Sequence, residues 1–334
     1  MTSVREKSRQ RAERFGDRMA SSSREYLGWS ARSAVRSLAL TSLAALEAAG
    51  LHGGIDGALA RPRVQILLLH HLFADELPRF KALLKRLAHG HEFITYSEAV
   101  ERIERGRIER PAIAFSFDDG LESCAVAARI LAEHGASACF FVVPSIVGER
   151  RPERLRRFGV DRLAAPATGV LGWDDLETML AQGHEVGNHT DGHLDLGSIG
   201  EDEVVEQRGR GRDALVRRLG DAPHFAWPYG LFENFSAFAA KSAFTMGHRS
   251  VASAVRGCHV AHGVDVARPC LRRDNLVAAW PLGHAQHFLA RASRSAAELA
   301  DAANRTASGA SAAPEHPTER WPDGWRKVIV DGHE

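Results

Sequence analysis

The stretch AIAFSFDDG, residues 112–120, reads as a buried strand that ends in two adjacent carboxylates and a glycine. Its first six residues carry no charge and are mostly apolar, the pattern of a strand covered on both faces. Asp118 and Asp119 stand where that strand ends, and Gly120 turns the chain. Neighbours on an extended backbone point in opposite directions. At a strand end they can diverge, so that one carboxylate takes a metal while the other faces a substrate. Taken alone, the same Asp-Asp-Gly turn reads equally well as the cap of a following helix, a place where aspartate is favoured.

Working outward, strands and helices alternate. Upstream, VQILLLHHLF (64–73) is a continuous apolar run of strand length, and DELPRFKALLKRLAHG (75–90) is an amphipathic helix closing at Gly90. A short strand at Glu92 to Thr95 and a helix from Ser97 follow. Downstream, helix LESCAVAARILAEHG (121–135), strand ASACFFVV (136–143), helix WDDLETMLAQG (173–183) and strand HEVGNH (184–189) continue the series. A helix over Glu201 to Leu219, a strand entering HFAWPYG (224–230), a helix from near Asn234 and a long helix past Gly283 complete it. This alternation predicts a parallel α/β architecture, and the number of units favours a barrel over an open sheet. The expected organisation is a helical N-terminal extension (1–60), a catalytic domain (61–306) and a loosely attached, Ser/Ala/Pro-rich C-terminal tail (307–334).

Composition narrows the function classes. With 334 residues, 44% hydrophobic and 25% charged, the chain has the balance of a soluble globular protein with room for a catalytic cavity. A net charge of +1 gives no bias toward nucleic acid. Cys124, Cys139, Cys258 and Cys270 lack metal-ribbon spacing and read as reduced, buried thiols. The first residues lack the apolar run of a secretory signal, and Arg36, Ser37, Thr41 and Glu47 interrupt Ala34 to Leu51, so a cytoplasmic location is the expectation. Met1 to Arg36 holds nine Lys/Arg against four Asp/Glu. That basic helical stretch is read either as a helix packed on the domain or as a peripheral contact at the inner membrane face.

Two further segments carry chemistry. In GHEVGNHTDGHLDL (183–196), His189 and His193 are four residues apart, a spacing that one helical turn places on one side. Two imidazoles and one carboxylate make three protein ligands with a coordination position left open, as catalytic metal sites have. Thr190 is placed to orient a ligand from behind. In FAWPYG (225–230), Pro228 fixes a turn, and the backbone N–H of Tyr229 is free to donate to a developing oxyanion. Trp227 and Tyr229 offer flat surfaces for a sugar ring. The plainer reading of that segment is a connecting turn.

Together these segments resemble the polysaccharide deacetylase (NodB-homology) family of carbohydrate esterases. Its [T/S]FDDG motif stands as Ser116 to Gly120, its H[S/T]xxH motif as His189 to His193, and its RxPYG motif is matched at Pro228-Tyr229-Gly230. The opening ILLLHH looks like the first strand of members that begin with Tyr-His, and the resemblance covers about Val64 to Arg273. It implies a distorted (β/α)7 TIM-like barrel and hydrolysis of an N-acetyl or O-acetyl group on a saccharide or glycoconjugate. It further implies that Asp119, His189 and His193 bind Zn2+ or a similar divalent ion (Co2+, Ni2+ or Mn2+), while Asp118 takes a proton from the attacking water. Such an ion lowers the pKa of a water from about 16 toward 7, which suits a carboxylate base.

Three departures stand out. Ala226 occupies the place of the motif arginine that orients the catalytic aspartate, with Arg249, Arg272 and Arg273 as candidates to replace it. The late Leu-x-His motif that supplies the general acid has a formal match only at His284. On the first strand, His70 and His71 point to opposite sides; His70 is taken as the inward one and as the acid for the leaving amine, with His71 and His284 as the other candidates. Finally, the connection from Pro144 to Gly172 contains GERRPERLRRF (148–158), read either as a site for an anionic part of the substrate or as a solvated flap with Glu149 and Glu153 paired to arginines. Two other functions compete with the hydrolase: a catalytically silent carbohydrate-binding barrel, and a deacylase of a small non-sugar amide.

Overall fold

The computed structural model describes residues 4–16, 18–28, 40, 42, 54–261, 268–307 and 325. In chain order the elements are α1 (Val4–Phe15), α2 (Ser23–Leu27), α3 (Ile55–Leu59), β1 (Arg63–Leu69), α4 (Leu77–Ala88), β2 (Glu92–Phe93), α5 (Tyr96–Glu104), β3 (Pro111–Phe117), α6 (Ser123–Glu133) and β4 (Ala138–Val142). Then come α7 (Pro152–Arg157), a π-helical turn (Phe158–Leu163), α8 (Trp173–Ala181), β5 (Glu185–Asn188), α9 (Glu201–Leu219), β6 (His224–Ala226) and α10 (Ala237–Thr245). The series ends with β7 (Ser250–Ala252), β8 (Cys270–Leu271), β9 (Asp274–Asn275) and α11 (Leu282–Ala307).

All strand pairings of the sheet are parallel, in the order β8-β7-β6-β5-β4-β3-β1-β9, with β2 beside β3. β8 pairs with β7 and β9 pairs with β1, yet only Arg272 and Arg273 separate them. The short segment 270–275 is therefore one bent strand that joins the two sides of the sheet. The curled sheet has the expected distorted α/β barrel architecture.

Side-chain parity sets what faces inward. Val64 and Ile66 of β1, Ala112 and Ala114 of β3, Cys139 and Phe141 of β4, Ala226, Ala252 and Leu271 form one interior cluster. Their neighbours Leu67, Leu69, Phe115, Phe117, Phe140 and Val142 pack outward against the helices. The alternation is the period-2 geometry of a strand, and both faces are buried because helices cover the outside. It carries Ser116 and Asp118 inward as the next even positions of β3. The helix expected from Ser97 starts at Tyr96, because the Thr95 hydroxyl caps it by accepting from the Glu98 amide at 3.1 Å.

The four cysteines are free and buried, as expected. No helix among the described residues is long and apolar enough to cross a membrane. Most of 29–53, including nearly all of the interrupted apolar stretch, and most of the tail lie outside the described residues. Within the tail, Trp325 is described. It is fully buried, its indole N–H donates to the Arg268 carbonyl at 3.0 Å, and it stacks on Trp227 and Phe235.

Candidate metal centre

Asp118 closes the β1–β3 ladder by donating its amide to the Leu69 carbonyl at 3.0 Å. The chain then turns through two left-handed residues, Asp119 (φ 75°) and Gly120 (φ 71°). Aspartate tolerates that conformation better than most residues, and the turn sends the two carboxylates apart.

The His189–His193 segment is not the helical turn that its spacing suggested. The His189 amide donates to the Val142 carbonyl at 3.0 Å, extending β5, and Thr190 (φ 65°) and His193 (φ 54°) are both left-handed. A right-handed helix excludes such residues. The loop is pinned from behind: Asp191 N and Gly192 N donate to the backbone and side-chain oxygens of Gln207, each at 2.8 Å. Thr190 Oγ1 accepts from the His193 amide at 3.0 Å, the orienting role its position suggested. The imidazoles arrive with centroids 5.0 Å apart.

These two loops bring Asp119, His189 and His193 together. Their ligand atoms all lie within 4.8 Å of one another, with His193 Nε2 3.2 Å and His189 Nε2 3.5 Å from Asp119 Oδ1. A tetrahedral ion with bonds of about 2.0–2.2 Å needs ligand atoms about 3.3 Å apart, so the set fits a divalent metal. His189 Nδ1 lies 2.8 Å from the Ala226 carbonyl; donating there fixes the tautomer and turns the Nε2 lone pair toward Asp119. The three ligands and Asp118 are each only 1–5% exposed. Burial works to raise the Asp119 carboxyl, but hydrogen bonds from His189 and His193 hold it well below the ordinary carboxylate range.

Asp118 faces the centre from the other side. Its Oδ2 is 3.9 Å from His189 Nε2, and Arg273 holds both its oxygens in a fork at 2.7 and 2.9 Å. Burial alone would raise the Asp118 carboxyl; the charge and hydrogen bonds of Arg273, together with the charges of His189 and His70, outweigh it and lower the carboxyl below its ordinary value. Arg273 itself is fully buried and donates through Nε to the Ser253 carbonyl at 2.7 Å. Of the three candidates, this is the arginine that stands in for the residue missing at Ala226. Arg249 pairs with Glu104 instead, and Arg272 is held by the Arg256 carbonyl. The parity of the 270–275 segment carried the signal: Leu271 faces inward, so Arg273 does too.

The third motif divides. Tyr229 (φ 65°) sits beside the metal ligands, its ring edge-on to His193 at 4.9 Å and its hydroxyl donating to the Arg162 carbonyl at 3.0 Å. Among the described residues none accepts from its backbone N–H. Gly230 is required there, because a Cβ would meet Ala254 at 2.3 Å. Pro228 is buried in the turn. Trp227 does not offer the sugar platform expected of it. It is fully buried, with Phe235 stacked parallel at 4.3 Å and Trp325 at 6.2 Å, so it leaves no ring face open to a sugar.

His70 is the next inward position after Leu68. Its desolvation lowers its pKa, while the charges of Asp119 and Asp118 oppose that fall, which places it in the field of the site. His71 points the other way, packed on Tyr26 and Phe73 with Nε2 3.5 Å from Glu76. His284 lies buried in the first turn of α11, a helix that packs on α3, α4 and β9. In the arginine-rich connection, Glu149 gathers Arg151 at 2.8 Å and Arg154 at 2.9 Å, and Arg150 donates to the Val170 carbonyl at 2.9 Å. These arginines are spent on the loop itself, as the plainer reading of it held.

Comparison with known proteins agrees with the site. A family model described as polysaccharide deacetylase matches residues 105–247. A chitooligosaccharide deacetylase of Sinorhizobium fredii is 29% identical over 136 residues, 40% of this chain and 53% of that protein. A peptidoglycan-N-acetylglucosamine deacetylase of Bacillus cereus is 29% identical over 150 residues, 44% of this chain and 46% of that protein. The chain thus spans about half the length of these curated relatives. In fold it is similar to the Streptococcus pyogenes deacetylase PplD in complex with acetate, with a TM-score of 0.54 at 16% identity, covering 69% of this chain and 99% of that one. IcaB from Ammonifex degensii gives 0.53 at 22% identity, covering 68% and 98%. The match to the polysaccharide deacetylase family model, over residues 105–247, takes in the stretch that supplies both aspartates and both histidines of the centre.

Proposed function

We propose that this protein is a metal-dependent hydrolase that removes an N-acetyl (or O-acetyl) group from a saccharide. One observation carries the reading: a buried Asp-His-His metal set lies beside a second carboxylate, Asp118, which a buried arginine keeps charged. A divalent ion held by Asp119, His189 and His193, zinc or another such as cobalt, nickel or manganese, supplies a Lewis acid for the acetyl carbonyl and a more acidic water. Asp118 takes the proton from the attacking water, and its fork to Arg273 fixes which oxygen lone pair faces inward. The Tyr229 backbone N–H, without a protein acceptor among the described residues, donates to the oxyanion that forms on the acetyl carbon. His70, directly after β1 and in the field of both aspartates, hands a proton to the leaving amine. Pro228 holds the turn that aims Tyr229.

The case for a silent carbohydrate binder rested on the missing motif arginine and on the unassigned acid. Arg273 removes the first ground, because it gives Asp118 the arginine partner that Ala226 cannot supply. The test is acetate release from a panel of N-acetylated saccharides, with and without chelator, for wild type and Asp118→Asn. Chelator-sensitive release that falls at least ~100-fold in Asp118→Asn is expected for loss of a general base. A folded, metal-loaded protein that releases no acetate from any member of a broad panel would sink the reading.

A further inference from the structure

The N-terminal segment lies across the end of the barrel that carries the metal centre. Arg5 of α1 holds its guanidinium carbon 3.9 Å from the centre of the Tyr229 ring, on the connection after β6. One helical turn on, Arg9 pairs with Asp161 at 3.3 Å, on the connection after β4. Beyond the helix, the Ala20 amide donates to the Ala167 carbonyl at 2.7 Å in that same connection. Ser23 then donates through its amide (3.0 Å) and hydroxyl (2.6 Å) to the carboxylate of Asp75, after β1. Tyr26, itself buried, rests on His71 and Phe73 of that connection.

These contacts run from β6 over β4 to β1. In the strand order, β6 and β1 are separated by β5, β4 and β3 on one side and by β7 and the 270–275 segment on the other, so they stand across the ring. A chain anchored at both crosses the mouth above the centre, which agrees with ligands only 1–5% exposed. The two ends are held unequally. A partly buried double hydrogen bond and a buried tyrosine fix α2 to the barrel; the C-terminal half of α1 is tied back by Arg11 to the Glu25 and Tyr26 carbonyls, while its N-terminal half meets the far side through an exposed ion pair and a cation–π contact. Arg5 also occupies the ring face of Tyr229 that a sugar would stack on.

We propose that residues 4–16 and 18–28 form a roof over the metal centre that admits a short or terminal acetylated sugar and excludes the interior of a polymer, with the start of α1 as its weak end. This rests on the deacetylase reading above. An interior residue must extend chain on both sides of the centre, and the roof obstructs that path; a chain end needs room on one side only.

The full-length protein carrying Arg5→Ala and Arg9→Ala tests it by two readouts. The first is the rate at which diethylpyrocarbonate modifies the peptide containing His189 and His193 in the metal-free chain, read by mass spectrometry. A rate at least fivefold above wild type is expected, and equal rates overturn the roof whether or not any sugar is turned over. The second is acetate release from di-N-acetylchitobiose against glycol chitin. The polymer-to-dimer ratio is expected to rise at least tenfold, and an unchanged ratio with a folded variant overturns the specificity claim. No release from either substrate by either protein counts against the deacetylase reading, while the modification rates still decide the roof. Should the double variant unfold, Asp161→Asn, which removes only the partner of Arg9, gives the same readouts.

Discussion

At the scale of single residues, the centre concentrates strain. Asp119, Thr190, His193 and Tyr229 are all left-handed without being glycine, and each such residue costs on the order of 1–3 kcal/mol unless its surroundings impose it. The surroundings here are visible: Gln207 on the histidine loop, Ala254 beside Gly230, and the β1–β3 ladder below Asp118. Arg273 is the residue on which the reading of Asp118 leans most. Arg273→Ala leaves a buried carboxylate without its partner, a loss of about 3–5 kcal/mol. Turnover should fall at least ~100-fold while bound metal stays at one equivalent, since no metal ligand is touched. Arg273→Lys keeps the charge but loses the fork and should recover only part of the activity. Full activity in Arg273→Ala, measured as acetate release, would remove the residue from the mechanism.

At the scale of elements, most of the barrel was legible in the sequence because its strands are covered on both faces. Runs such as Val64 to Leu69 and Ala112 to Phe117 have few other readings, and α9 occupies the span that its pattern predicted. The metal ligands were legible too, since residue type and spacing identify them even where the local geometry was misjudged. The four-residue spacing of His189 and His193 suggested a helical turn; left-handed residues and the Gln207 anchor bring the rings together instead. Three things were hidden. Arg273 lies between two two-residue strands too short to register in the sequence, so the parity that turns it inward could be applied only once 270–275 was seen as one segment. Trp227 looks like a sugar platform until it is seen buried against Phe235 and Trp325, one of them from nearly a hundred residues away. The Arg5–Tyr229 contact joins residues still farther apart in sequence, and no periodicity encodes it.

At the scale of the whole molecule, burial of ionisable groups couples the fold to pH. Burial, helped by Arg208 and Arg212, pushes His248 down to about 3, and burial with Arg63 pushes His91 down to about 4. For a histidine depressed in the folded state, the unfolded chain takes up the proton first. Their stabilisation is therefore complete above the ordinary histidine pKa of about 6.5 and is lost as pH falls toward these values. Asp274, raised to about 6 by burial, acts in the opposite sense and favours the fold as pH drops through 6. With two groups against one, Tm should be lower at pH 4.5 than at pH 7.5, and His248→Gln should narrow the difference. A Tm gap unaltered by that substitution would contradict the assignment. The most direct test of the account is a titration of Zn2+ into the metal-free chain, with occupancy and acetate release followed together. The account predicts that activity rises in proportion to occupancy up to one equivalent, and that Asp118→Asn binds the same single equivalent yet stays at least ~100-fold less active. Acetate release that is undiminished without metal, or an Asp118→Asn variant as active as wild type, would contradict it.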